Sequence, residues 1–261
     1  MAETTATSQA HKRADQYDDP SYNYLKYWRG RDYEHLAETI ALRKLLRGKH
    51  FKKAVDVGGG YGRLSVFLEE YADEVTLAEP STQQLDIAKE FLKDHPKIKR
   101  QLMQADDLKF KNGSVDLLTM VRVMHHLPDP TAEFDEIARV LSVEGYAVIE
   151  VANYLHIRNR IKHWVRGQRL PVKPVDIRSA ANRRDDEVAF VNHNPATVIR
   201  QLEHAGLQVV STLSVSNLRS VRLKKIMPRE VMLGAEKALQ RPLARLYFGP
   251  SIFFLVRKQS S

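Results

Sequence analysis

An α/β fold, with a mostly parallel sheet and helices on both faces, is the architecture this sequence predicts, and three observations carry it. Strand-length apolar runs at Lys53–Val57, Glu74–Ala78, Ile98–Met103, Val115–Val121 and Tyr146–Val151 alternate with helical periods or loops. Such alternation buries a parallel sheet between helical layers. A glycine cluster follows the first run directly. Helix starts are signposted without reference to hydrophobicity: Ser81 with Gln84 forms a capping-box pattern, and Asp129-Pro130 and Asn194-Pro195 each set a cap residue before a proline at the first helical position.

Taken in order, residues 1–16 lack an apolar period and read as a flexible leader. Tyr17, Tyr22, Tyr24, Tyr27, Trp28 and Tyr33 then crowd aromatic rings into a short stretch. From Tyr33 to Arg47, Leu36, Ala37, Ile40, Ala41, Leu45 and Leu46 mark one face of an amphipathic helix that Gly48 can end. After the fifth strand, Tyr154, Ile157, Ile161, Trp164 and Val165 recur at helical steps among Arg158, Arg160, Lys162 and Arg166, so a basic amphipathic helix runs out of that strand. A charged connection over Pro171–Glu187 leads to a helix at Pro195–Ala205 and a strand at Leu207–Val215. A basic insertion over Leu218–Leu246 precedes a last strand at Ser251–Arg257.

Composition narrows the chemistry. The chain has no cysteine, which excludes a disulfide framework, thiolate metal ligation and a cysteine nucleophile, and no metal site is expected. No apolar run reaches the roughly 18 residues of a spanning helix, and Met1–Ala10 has no apolar signal core, so a cytoplasmic protein is expected, with a membrane surface as one place for it. A net charge of +9 favours anionic partners without identifying one.

The string AVDVGGGYGRLS, residues 54–65, carries the functional argument. A strand, an acidic residue near its end, glycines and a helix start form a ligand-binding turn at the carboxyl end of a sheet strand. A dinucleotide fingerprint needs glycine at its sixth position, where counting from Gly58 gives Arg63, and a phosphate loop needs a Lys followed by Ser or Thr, which is missing. Asp56 by itself suits holding the loop by accepting its N–H groups.

What remains, Asp56-x-Gly58-x-Gly60, resembles the nucleotide loop of class I S-adenosylmethionine-dependent methyltransferases. Glu79 at the end of the second strand, the segment QADDLKFKNGSVDLL and the segment MHHLPDPTAEFDEIARVL extend the likeness over Lys53–Val151, closest to the broad ubiquinone/menaquinone-biosynthesis-like (type 11) subgroup. The resemblance implies a Rossmann-like sheet of seven strands with an antiparallel last strand. It implies a methyltransferase domain, taken as 51–261; outside the likeness, the aromatic stretch reads as part of an N-terminal helical lid over 17–50, and the basic helical patterns as insertions at about 152–190 and 218–246. S-adenosylmethionine is the implied cofactor. Its implied contacts are Asp56, Gly58, Gly59 and Gly60, Glu79 on both ribose hydroxyls with Pro80 beside it, and Val121 after the fourth strand. Gln104 stands where the family usually holds an adenine-binding Asp; Ala105 offers a backbone N–H and Asp106 a substitute carboxylate. The second departure, Leu141–Gly145, reads as altered turn geometry only.

The implied reaction is in-line displacement from a sulfonium, an electrophile already activated, so the protein's task is to orient the acceptor and exclude water. A small-molecule acceptor, quinone-like or lipid-linked, is expected, with Tyr24, Trp28 and Arg31 as substrate contacts and His125, His126 and Tyr33 as candidate bases for a hydroxyl. A methyltransferase working on RNA or protein through the basic face, and a non-catalytic binder of the same cofactor, stay open. The basic segments Arg158–Arg166 and Arg219–Arg229 read as a solvated face, as a platform for an anionic membrane, or, less in keeping with the interleaved Leu223, Ile226 and Met227, as a nucleic-acid surface.

Overall fold

The computed structural model describes residues 28, 30–179 and 189–259. Helix α1 (Asp32–Leu45) precedes β1 (Phe51–Val57), α2 (Arg63–Leu68), β2 (Ala72–Glu79), α3 (Thr82–Phe91), β3 (Ile98–Leu102) and β4 (Val115–Met120). A 3₁₀ turn (Met124–His126), α4 (Thr131–Val140), β5 (Leu141–Ala152) and α5 (Ile157–Val165) follow. The chain continues through β6 (Val175–Asp176), β7 (Val191–Asn192), α6 (Pro195–His204), β8 (Leu207–Val215), α7 (Val221–Ile226), α8 (Arg229–Ala244) and β9 (Ser251–Lys258).

Seven strands form one sheet in the order β3-β2-β1-β4-β5-β9-β8. Pairings among β3, β2, β1, β4 and β5 are parallel, and β9 runs antiparallel to both β5 and β8. This is a Rossmann-like sheet of seven strands with an antiparallel last strand, as expected, with the order reversing between β1 and β4, where open α/β sheets bind ligands. One core layer joins α1, α2, α3 and α8 to the sheet through Ala37, Leu42, Leu64, Phe67, Ala88 and Met232. The opposite layer joins α4 and α6 through Phe134, Ile137, Val140, Val198 and Leu202. Both faces of β4 are thereby covered, and of its residues only Asp116 is not buried.

Two boundaries differ from the sequence expectation for local reasons. Strand β5 starts at Leu141, five residues before Tyr146, because Leu141 pairs with Val115 and the register shifts between Val115 and Leu117. The LSVEG segment is therefore a bulged strand start, closed so tightly that a Cβ on Gly145 would stand 2.9 Å from the Ser142 carbonyl oxygen. Helix α4 starts at Thr131 with Pro130 as its cap, while Asp129 Oδ1 accepts from Thr131 N (3.2 Å) and Oγ1 (2.6 Å). Asn194 caps α6 as expected, accepting from Ala196 N at 3.0 Å with Pro195 in the first turn.

The first and last helical additions meet. Tyr33 Oη donates to Glu236 Oε2 at 2.8 Å and accepts from Leu218 N at 3.2 Å, while Gln240 Nε2 donates to the Ala37 carbonyl at 2.9 Å. Lys224 Nζ pairs with Glu34 at 2.7 Å. Helix α1 is thus a core helix clamped by α7 and α8. Among the described residues no helix is long and apolar enough to cross a membrane. Tyr33→Phe removes one donor from a buried carboxylate and one acceptor from a backbone N–H, so we expect a loss of about 1–2 kcal/mol in urea unfolding with an unchanged m-value.

Candidate functional site

The turn from β1 to α2 is shaped by what presses on it. Gly58 N donates to the Ala78 carbonyl at 2.7 Å, which carries the chain across to β2. A Cβ on Gly59 would lie 2.5 Å from Asp56 Oδ2 and 2.6 Å from Leu77 Cδ1. Gly62, at φ +91°, caps α2 and leaves 2.7 Å between a built Cβ and Leu92 Cδ1, so its place in the loop is as demanding as that of the three preceding glycines. Under the loop, Asp56 is 1% exposed and accepts from Ser65 Oγ and Thr119 Oγ1, both at 2.8 Å. Burial pushes its carboxyl up, against the pull of those two hydroxyls.

At the end of β2 the Glu79 carboxylate accepts from Gly60 N at 2.8 Å through Oε2 and from Ser81 N at 3.1 Å through Oε1. It therefore faces the glycine loop and fixes the start of α3 together. Ser81 Oγ accepts from Gln84 N at 3.1 Å, which is half of the expected capping box. Glu79 has taken the Ser81 N–H that Gln84 would bond. The Gln84 side-chain amide is buried with neither its nitrogen nor its oxygen hydrogen-bonded among the described residues. Next to this edge, Met103 N donates to the Glu79 carbonyl at 3.2 Å, and the turn Gln104–Asp107 closes through Asp107 N on the Gln104 carbonyl, also at 3.2 Å. Gln104 and Asp106 are exposed on that turn, and Ala105 and Pro80 are half-buried.

A charged cluster walls the other side. Glu38 of α1, 2% exposed, accepts from Arg63 Nη2 and Arg122 Nε, both at 2.7 Å. Burial opposes its ionisation, but the two guanidiniums outweigh burial and hold the carboxyl below the usual range. Both guanidiniums lie against the Trp28 ring, Arg63 at 3.7 Å and Arg122 at 4.8 Å from its centroid. Arg122 follows β4 at φ +62°, a strained conformation for an arginine, and its N–H is met by Glu150 Oε2 at 3.0 Å. Asp56, Gly58, Gly59, Arg63, Leu64 and Val121 line a narrow cleft with a volume of about 10 Å³.

Of the candidate bases, His125 and His126 share the 3₁₀ turn with rings 4.0 Å apart, and Phe190 lies 4.5 Å from His125. Burial first, then neighbouring His126 and Arg122, push His125 well below the ordinary histidine range. His126 Nδ1 stands 3.2 Å from the Ala189 carbonyl. Tyr33 is placed differently: it is buried with its hydroxyl engaged by Glu236 and Leu218 N, away from the 3₁₀ turn of the two histidines, and burial with the Glu236 charge pushes its phenol up. Trp28 joins the charged cluster, Arg31 caps α1, and Tyr24 lies outside the described residues. Glu38, Arg122, Ser65 and Thr119 were absent from the sequence expectation, and Gln84 entered it only as a helix-cap residue. Only Gly62, visible in the string GGGYGR, gave a signal.

Comparison with known proteins places part of the chain beside methyltransferases. Residues 55–149 match a family model described as a methyltransferase domain. An uncharacterized methyltransferase of Schizosaccharomyces pombe is 30% identical over 128 residues, 45% of this chain and 46% of that protein. The chain spans less than half the length of each curated relative it matches. Among solved structures, a chain from the complex of the Haloferax volcanii Trm112 methyltransferase activator with a candidate methyltransferase superposes with TM-score 0.64 at 17% identity, covering 95% of this chain and 99% of that one. An S-adenosylmethionine-dependent methyltransferase from Mesorhizobium loti gives 0.58 at 18%, covering 85% and 98%. At those identities the two structures speak for the fold.

Because the Glu38 carboxyl is depressed by folding, its contribution is complete above the ordinary carboxylate range and is lost as pH falls through the folded-state value. Glu38→Gln is expected to destabilise by about 3 kcal/mol at neutral pH. Its gap to the parent in thermal melts should narrow as pH drops from about 5 toward about 3.

Proposed function

We propose that this chain, whose residues 55–149 match a methyltransferase-domain model, transfers the methyl group of S-adenosylmethionine to a small-molecule acceptor. The observation that carries the reading is the Glu79 carboxylate, buried at the end of β2 and facing the Gly60 amide. Two carboxylate oxygens match two adjacent sugar hydroxyls in number and spacing. The residues present fit the cofactor on two further counts: a Cβ would fill the loop at Gly58 or Gly59, and the buried Gln84 amide has unmet donors and an unmet acceptor near the same edge.

In this reading Gly58, Gly59 and Gly60 receive the amino-acid portion, Glu79 and Pro80 the ribose, and Gln104, Ala105 and Asp106 the adenine side, with Val121 as floor. The sulfonium supplies a methyl group already activated toward a nucleophile. Asp56 lines the cleft and is the carboxyl group that would face that cation, whereas the Glu38 charge is taken up by Arg63 and Arg122. Opening the cleft means parting Arg63 from Glu38 or from Trp28, since Arg63 forms its wall. His125, held neutral by burial, has a lone pair for an acceptor proton, and with His126 and Phe190 it forms an aromatic wall suited to a small flat acceptor.

Calorimetry with S-adenosylmethionine and S-adenosylhomocysteine should show binding at about micromolar Kd. Glu79→Ala should weaken it by about a hundredfold, with circular dichroism confirming an intact fold. Absence of binding to both nucleosides by the parent chain would sink the proposal. A metabolite extract incubated with the cofactor should then yield a mass gain of one methyl group. Where the acceptor is a hydroxyl, the acid limb of kcat should lie below the ordinary histidine range, and His125→Ala should remove that limb.

A further inference from the structure

Helix α5 has no buried residue. Trp164 is 82% exposed, Val165 71% and Ile161 53%, on a helix that is otherwise firmly mounted. Ile157 N donates to the Phe248 carbonyl at 3.1 Å, Arg160 Nη1 to the Leu246 carbonyl at 2.9 Å, and the His163 ring is engaged on both sides, by Tyr154 Oη at 3.2 Å and the Arg169 carbonyl at 3.0 Å. Beside it runs an apolar groove of about 640 Å³, with Ile157, Ile161, Trp164, Leu170, Leu246 and Phe248 in its walls. A rigid helix that keeps a tryptophan and aliphatic side chains in water is presenting them to something.

The charge around the face says to what. From Val151 to Val175 the chain holds no Asp or Glu, yet carries Arg158, Arg160, Lys162, Arg166, Arg169 and Lys173. The neighbouring segment repeats the pattern: from Gly206 to Pro228 there is again no acid, and α7 exposes Val221 (69%) and Ile226 (76%) among Arg222, Lys224 and Lys225. The two segments approach each other at one point, Arg219 and Arg158 both acting on the His156 ring, secondary to its burial. Aliphatic and indole groups flanked by cations, with no acid in either segment and, among the described residues, Lys224 alone of those named paired to an acid, Glu34 of α1, complement a surface that is apolar inside and anionic at its rim.

We propose that α5 docks this protein on an anionic lipid bilayer, Trp164, Val165 and Ile161 entering the headgroup–acyl boundary while Lys162 and Arg166 face the lipid phosphates. Helix α5 leaves the carboxyl end of β5, and Ala152 at that end pairs with Ser251 at the start of β9. The docking face therefore lies at the edge of the sheet where the Gly58 turn also lies. The inference stands apart from the methyl-transfer reading, since it needs neither cofactor nor turnover.

Flotation of the full chain with vesicles of phosphatidylcholine, and with vesicles of equal parts phosphatidylcholine and phosphatidylglycerol, tests it at low and high salt. The protein should float with the anionic vesicles, less so at high salt, and not with the neutral ones. Of the two tryptophans Trp28 is buried, so a vesicle-induced blue shift of tryptophan emission reports Trp164. Trp164→Ala should lower partitioning by about tenfold through lost insertion. The pair Lys162→Glu with Arg166→Glu should lower it by about tenfold or more. Both variants are expected to melt as the parent does and to bind S-adenosylhomocysteine equally, which separates failure here from failure of the catalytic reading. The proposal is overturned by absence of flotation at low salt, by flotation that both variants retain, or by flotation with no change in emission. It is equally overturned if the patch instead binds poly(U) RNA, or a second copy of the chain that Trp164→Ala releases, while vesicles stay unbound.

Discussion

The site depends on a buried carboxylate. Asp56 reaches Ser65 on α2 and Thr119 on β4 from its own place on β1, so one side chain sets the spacing of three elements at the point where the sheet order reverses. Gly59 lies directly on it, at a distance that admits no Cβ. Loop and carboxylate therefore determine each other: the glycine is required because the acid is there, and the acid is tolerated in the interior because two hydroxyls donate to it. Burial still raises its pKa. A cation bound at the cleft would relieve that penalty, which makes the position better suited to a positively charged ligand than to a phosphate.

A second carboxylate organises the opposite wall. Glu38 is matched by two arginines from separate elements, α2 and the end of β4, and Trp28 packs against both guanidiniums. Burying one acid with two bases leaves a net positive wall, and Glu150 beneath the Arg122 amide offsets part of it. Such a network holds the N-terminal helix in register with the Gly loop while remaining separable, since ion pairs yield to competing charges more readily than a packed apolar seam does.

How much of this was legible in the sequence follows from how local each determinant is. The strand–glycine–helix string, the Ser81 and Asn194 caps and the strands at Leu207–Val215 and Ser251–Arg257 are set by neighbours in the chain, and the structure has them within a residue or so of their expected places. Glu79 was legible because its spacing from the loop resembles a known family. Glu38, Arg122 and Gln84 were not, because each acquires its role from a residue far away in sequence or from a partner another residue has taken: Arg122 lies 84 positions from Glu38. Tyr33 was misread for the same reason, its hydroxyl being claimed by Glu236, 203 positions on. The start of β5 was missed because LSVEG looks like a turn, and only its pairing with Val115 makes it a strand.

The antiparallel β9 links the two halves of the functional argument. A last strand parallel to β5 would start at the opposite edge of the sheet and carry Leu246 and Phe248 with it. Running antiparallel, β9 starts opposite Ala152, so the chain that delivers it comes in alongside α5 and completes the apolar groove there. The same strand sends Ser251 Oγ to Glu150, which holds Arg122 and so the charged wall. One strand direction thus sets both the surface turned outward at this edge and the wall of the cleft within it. An acceptor of low water solubility, presented at a bilayer, would meet those two features in that order.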